Sequence, residues 1–121
     1  MPSLVGSEMC IRDSYYVEAA NMPATAEALK LLRLSPHILT AGAKAAGSGG
    51  VAVSALEMAQ NSIRYNWSRQ EVDRRLREIM SRIYDLSAAA AAAYGLGYDL
   101  IAGNDIAAFK KISEAMIAQG L

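Results

Sequence analysis

Tyr15-Tyr16-Val17-Glu18-Ala19-Ala20-Asn21-Met22-Pro23-Ala24-Thr25-Ala26-Glu27-Ala28-Leu29-Lys30-Leu31-Leu32-Arg33, followed by Ser35-Pro36 and Ile38-Leu39-Thr40, is the stretch that decides the fold. Its first three residues are aromatic and β-branched, the composition of a strand. Asn21-Met22-Pro23 breaks that run, and Ala24 to Arg33 then follows a helical pattern. Ser35 precedes a proline and avoids the α region, so the helix closes there and Ile38-Leu39-Thr40 supplies a second short strand. Strand, helix and strand in this order predict a small βαβ unit that feeds a parallel sheet. Ligands of such sheets bind beyond the carboxyl ends of the strands, which puts Asn21 and the segment around Gly47 on one rim.

The remainder reads as helical. Lys44-Ala45-Ala46-Gly47-Ser48-Gly49-Gly50-Val51 predicts a glycine-rich loop opening a helix near Val51 that continues to about Tyr65. Glycines 47, 49 and 50 there permit positive φ and close approach of a ligand, and the helix start offers free N–H groups to an anion. Apolar residues on two adjoining faces of this helix predict that it is buried. Ser68-Arg69-Gln70-Glu71 is a capping box ahead of the longest helix, in which Val72, Leu76, Ile79, Met80, Ile83 and Leu86 hold helical spacing. Ala88 to Ala93 extends it with small side chains that suit close packing on another helix, and Gly95-Leu96 closes it in a Schellman turn. A last helix is expected to start with Asn104 or Asp105 as its N-cap and to run to Gly120.

Composition narrows the function. Among the 121 residues, twelve basic and twelve acidic residues balance. No net field therefore favours nucleic acid or a membrane surface, and neither is expected as a partner. The sequence has no run of about 18 apolar residues and no basic region followed by an apolar one, so no spanning segment or signal peptide is expected. Its single cysteine, Cys10, cannot form an intrachain disulfide, which fits a reducing, cytoplasmic setting. Residues 1–14 show no period of either kind and are read as a leader. Leu4 to Ser14 resembles a translated sequencing adapter, while a native disordered arm fits the composition equally well.

Each candidate residue has a structural reading beside its functional one. Asn21 is a turn residue or an amide that donates to and accepts from a ligand. Ser54 and Val51 are a helix-packing serine and a core valine, or contacts to a substrate. Lys44 is a solvated lysine or an attractor of anions. His37 has no triad or metal partners in sequence and receives no chemistry, and no metal site is expected. Arg64, Arg69, Arg74, Arg75, Arg77 and Arg82 alternate with Glu71, Asp73, Glu78 and Asp85, as on a solvated helix face with local ion pairs. Gly95-Leu96-Gly97 lacks the strand-to-helix setting of a dinucleotide fingerprint.

Three blocks carry a family resemblance. Lys44 to Asn61 resembles the glutamate dehydrogenase signature Lys-Ala-Ala-Asn-Ala-Gly-Gly-Val-Ala-x-Ser-Gly-Leu-Glu-Met-x-Gln-Asn, with Gly47, Ser48 and Ala55 departing from it. Val17 to Pro23 resembles the family's Glu-Gly-Ala-Asn-Met-Pro, with Ala19 in place of glycine. Tyr94 to Gly120 is similar to the terminal segment of hexameric enzymes that are usually NADP-linked, with Asn104-Asp105 in place of Ala-Asn. The resemblance implies an α/β fragment, predominantly helical. Residues 15–50 would end a Rossmann-like dinucleotide-binding domain and carry the Gly-rich loop, and helices 51–121 would pack back on a substrate domain outside this chain.

It further implies oxidative deamination of L-glutamate to 2-oxoglutarate and ammonia, or the reverse, with NADP, or alternatively NAD, by a homo-hexamer. Asn21 would contact the cofactor. Val51 and Ser54 would contact the glutamate side chain, with Gly49 and Gly50 shaping the loop. The family's catalytic lysine and aspartate segments and its Gly-x-Gly-x-x-Gly turn have no counterpart here, so no catalytic residue is assigned and the chain alone is expected to be inactive. A small helical interaction module without chemistry is the rival reading.

Overall fold

A computed structural model of the protein describes residues 14–121. Cys10 and nearly all of the leader lie outside them, while Ser14, read as the leader's last residue, opens the first strand. The elements are β1 (Ser14–Val17), α1 (Ala26–Leu34), β2 (Ile38–Ala41), α2 (Ala43–Ala46), α3 (Ser48–Ile63), α4 (Arg69–Ala93) and α5 (Leu100–Ala118). The expected βαβ unit is present. β1 and β2 pair in parallel from Ser14 opposite Ile38 to Val17 opposite Ala41. Thr25 caps α1 by accepting from the Ala28 N–H at 3.2 Å. Ser35, extended ahead of Pro36, ends it by donating its N–H to the Leu31 and Leu32 carbonyls.

The long helices keep their expected ends with one change at each start. Ser68 Oγ accepts from the Glu71 N–H at 3.2 Å, which is half of the capping box. The other half is not made: the Glu71 carboxylate accepts instead from Arg74 at 2.8 Å and Arg75 at 2.7 Å, since charged donors one turn along outcompete a backbone amide. Arg75 also lies over the Trp67 ring, 4.3 Å from its centroid, and so ties the α3–α4 turn to α4. At the far end Leu96 donates to the Ala91 carbonyl and Gly95 to that of Ala92, with Gly95 at φ 70°, which is the Schellman closure.

α5 begins five residues earlier than a cap at Asn104 implies. Asp99 is its N-cap, accepting from the Ala102 N–H at 3.0 Å, and Asn104 and Asp105 lie inside the helix. Gly103, a residue that ordinarily discourages a helix interior, is buried at the crossing of α5 over α4. A methyl group on Gly103 would overlap the Ser87 carbonyl oxygen and lie 3.1 Å from Ala91 Cβ. Tertiary contact outweighs local propensity here.

The Gly-rich segment is a second departure. Gly47 takes αR backbone with φ −73°, and α3 starts at Ser48 rather than near Val51, so Gly49 and Gly50 are helical. None of the three has positive φ. Gly47 is required for room instead: its N–H donates to the Ala43 carbonyl at 2.7 Å, and a Cβ would stand 2.7 Å from that oxygen. Nor is α3 buried. None of its residues is, and Val51 is 72 % exposed, because among the described residues no other element covers its outer faces.

Among the described residues the buried apolar side chains are Ala91, which is fully enclosed, and Leu100, joined by Ser87, Thr40 and Glu18. The α4–α5 crossing is therefore the packing centre. Gly103→Ala should cost about 1–3 kcal/mol of unfolding free energy through overpacking. Gly50→Ala, helical with nothing near its would-be Cβ, should be neutral or stabilising by up to about 1 kcal/mol. Urea denaturation of the two variants measures the contrast.

Candidate functional site

Beyond the carboxyl ends of β1 and β2 the chain forms a cleft of about 660 Å³. One wall is the β1–α1 connection with Asn21, Met22 and Ala24, backed by Leu29 of α1; the other is the first turns of α5, with Ile101, Asn104 and Asp105. Glu18 and the Gly42–Ala45 segment close it between them. The walls are mostly apolar, with a few amides and carboxyls, which is the make-up of a small-molecule site.

Three contacts seat the βαβ unit on α5. Gly42 approaches Ile101 so closely that a Cβ would stand 3.3 Å from its Cγ1. Arg33 of α1 pairs with Asp99 at 2.6 Å, both partly shielded from solvent. Lys44 pairs with Asp105 at 3.4 Å across the cleft mouth. Asp99 therefore has two tasks, capping α5 and holding α1. Burial alone would raise its pKa, but hydrogen bonds from Arg33 and the Ala102 and Ile101 amides, with the Arg33 charge, hold the carboxyl below the usual aspartate range.

The expected site residues differ in their relation to this cleft. Asn21 lines the cleft; Gly49, Gly50, Val51 and Ser54 lie on α3 and do not. Val51 is exposed, which removes the core reading of that residue, and Ser54 is exposed beside it. Lys44 is 82 % exposed and tethered to Asp105, a residue expected to be a cap. Three of the α4 arginines form local pairs: Arg74 with Glu71 and Glu78, Arg75 with Glu71, Arg77 with Asp73. Among the described residues no group of three His, Cys, Asp or Glu side chains could hold a metal ion. No helix among the described residues is long and apolar enough to cross a membrane.

Sequence reasoning passed over Glu18 and Asn104. Glu18 is buried and lies directly after β1, the position from which a parallel sheet presents ligand contacts; that placement was the available signal. Asn104 lines the cleft only because α5 starts at Leu100 and turns that face inward, which no local pattern indicates.

A family model described as Glutamate/Leucine/Phenylalanine/Valine dehydrogenase matches residues 8–120, beginning inside the stretch read as a leader. The chain is 53 % identical over 107 residues to an NAD-specific glutamate dehydrogenase of Clostridium symbiosum, covering 88 % of this chain and 24 % of that protein. It is 48 % identical over 111 residues to an NADP-specific glutamate dehydrogenase of a Psychrobacter species, covering 88 % and 25 %. A solved glutamate dehydrogenase superposes with a TM-score of 0.85 at 53 % identity, over 89 % of this chain and 24 % of that one. The chain thus spans about a quarter of the length of these relatives.

A carboxyl whose folded pKa is lowered contributes stability above its unfolded value, near ~3.9, and that contribution is lost as pH falls through the lower folded value. Asp99 should therefore add about 1 kcal/mol or less above pH 5, the scale of a partly solvent-screened pair. Asp99→Asn, which retains an acceptor for the Ala102 amide, should flatten the dependence of the urea midpoint on pH between 2 and 5.

Proposed function

The chain belongs to the Glutamate/Leucine/Phenylalanine/Valine dehydrogenase family, and from that premise we propose that it is the C-terminal portion of a hexameric glutamate dehydrogenase. The intact enzyme would interconvert L-glutamate with 2-oxoglutarate and ammonia, using a nicotinamide dinucleotide in the cytoplasm. The likeness of the terminal segment to NADP-linked enzymes favours NADP, and the relatives named above include one specific for each coenzyme. The observation that carries the proposal is 53 % identity, sustained over 88 % of the chain, with a glutamate dehydrogenase.

The cleft fits a nicotinamide nucleoside in kind: apolar walls for a flat ring, with the Asn21 amide able to donate and accept. When bound, the nicotinamide supplies a hydride acceptor or donor. Asn21 would orient it. Val51 and Ser54 would hold the glutamate side chain, the Ser54 hydroxyl donating to its distal carboxylate, and Gly50 leaves open space beside them. No residue of this chain is assigned to the chemical step, so turnover belongs to the longer polypeptide.

The apolar surface agrees with that division. Phe109, Ile112 and Met116 follow helical spacing on α5 and are all exposed. We assign this stripe to contact with the substrate domain of the intact enzyme. An uncovered patch of this kind otherwise promotes association.

A chimera tests the proposal. Residues 15–121 replace the matching quarter of the Clostridium symbiosum enzyme, and glutamate oxidation is followed with NAD and with NADP. The isolated chain should be inactive and the chimera active. Ser54→Ala in the chimera should weaken glutamate use by about tenfold to a hundredfold, the scale of a lost hydrogen bond to a charged group. A folded but inactive chimera, or an active one indifferent to Ser54→Ala, contradicts the assignment.

A further inference from the structure

Glu18 is a buried carboxyl that the proposal above leaves without a task. Its N–H donates to the Ala41 carbonyl at 3.0 Å, which extends the parallel pairing one residue past Val17 and brings the side chain under the turn into α2. There the residue is only 7 % exposed, and Oε2 accepts from the Ala43 N–H at a long 3.3 Å. Among the described residues no donor meets Oε1. Lys44, the cation of the cleft, is engaged with Asp105 at the mouth and does not compensate Glu18. Buried polar atoms in native proteins are nearly always satisfied, and an orphaned one at the wall of an open cleft marks a place for a partner.

The other polar side chains in the cleft bear on what that partner is. Asn21 and Asn104 are neutral amides, and Asp105 adds a second carboxyl beside the one paired lysine. An anionic group would meet Glu18 with no free cation to offset it. A neutral or cationic group carrying N–H or O–H donors would satisfy Oε1 and use the amides as well.

We propose that Glu18 is a ligand-binding residue of this cleft, its Oε1 accepting a hydrogen bond from a donor-bearing, non-anionic group that Asn21 also contacts. Taken with the dehydrogenase reading, on which the identity of the ligand rests, the group is the nicotinamide nucleoside. Its ribose hydroxyls and its carboxamide NH₂ share the required chemistry.

The test is a ¹³C and ¹⁵N NMR titration of the full 121-residue chain with nicotinamide riboside, nicotinamide and ribose separately. The riboside should shift the Glu18 side-chain carboxyl carbon and the Asn21 and Asn104 side-chain amides. The response to nicotinamide or to ribose tells which donor carries the contact. In Glu18→Gln the Ala43 N–H retains the carbonyl oxygen and the NH₂ turns toward the ligand, donor against donor, so riboside affinity should fall at least tenfold.

Absence of any shift at Glu18 with all three probes at millimolar concentration overturns the proposal, as does unchanged affinity in Glu18→Gln. The carboxyl shift is read in the unsubstituted chain, so the test does not depend on a variant folding. An active chimera with a silent Glu18 removes this proposal alone. Riboside binding at Glu18 with an inactive chimera removes the dehydrogenase reading and leaves a nucleoside site.

Discussion

The crossing of α5 over α4 is the constraint on which the rest of the structure depends. Gly103 lies against the Ser87 carbonyl and Ala91 Cβ, and Ala91 is fully enclosed. Such a crossing needs small side chains on both helices, which the alanine run and Gly103 supply. Ser87 keeps its hydroxyl satisfied by donating to the Ile83 carbonyl at 2.8 Å, so the seam hides no unpaired hydroxyl. The connection that returns the chain is equally determined: Gly95 and Gly97 take positive φ, and Asp99 caps the incoming helix. Once α5 is placed, its opposite side receives the βαβ unit through Arg33, Gly42 and Lys44, and the cleft is the space left between them.

That architecture buries little apolar surface for its length. Val51, Met58 and Ile63 on α3 and the Phe109 stripe on α5 face outward, and β1 leaves Tyr15 and Val17 exposed. The chain spans about a quarter of the length of the relatives it matches. Little of the hydrophobic term that stabilises an independent domain is realised here, and the α4–α5 seam is the main packed element.

Local chemistry was legible in the sequence wherever it decides the outcome locally. The parallel βαβ unit, the Ser68 cap, the Gly95-Leu96 closure and the packing role of Ala88 to Ala93 all follow from spacing and side-chain type. Two of the departures turn on glycine. Gly47, Gly49 and Gly50 are expected to form a loop with positive φ, and the last helix is expected to begin after Gly103, yet Gly49, Gly50 and Gly103 are helical and Gly47 is αR. At Gly47 a nearby carbonyl, and at Gly103 a facing helix, leave no room for a side chain, and the helix forms in spite of propensity. The α5 start moved with Gly103, which turned Asp105 from a cap into Lys44's partner and brought Asn104 into the cleft. The candidate site was accordingly half legible: Asn21 stands where the strand-end rule places it, whereas Glu18 and Asn104 depend on tertiary placement. Ser54 and Val51 were singled out by resemblance, and their solvent-facing position on α3 is a feature only the structure supplies.

Residue-resolved amide hydrogen exchange of the chain tests the central claim most directly, because protection reports the free energy of local opening. If the α4–α5 seam organises the molecule, the slowest amides lie in α4 from Ser87 to Ala93 and in α5 from Gly103 to Ile106, with the βαβ unit exchanging faster. Protection of β1, α1 and β2 that equals or exceeds that of the seam would contradict the account.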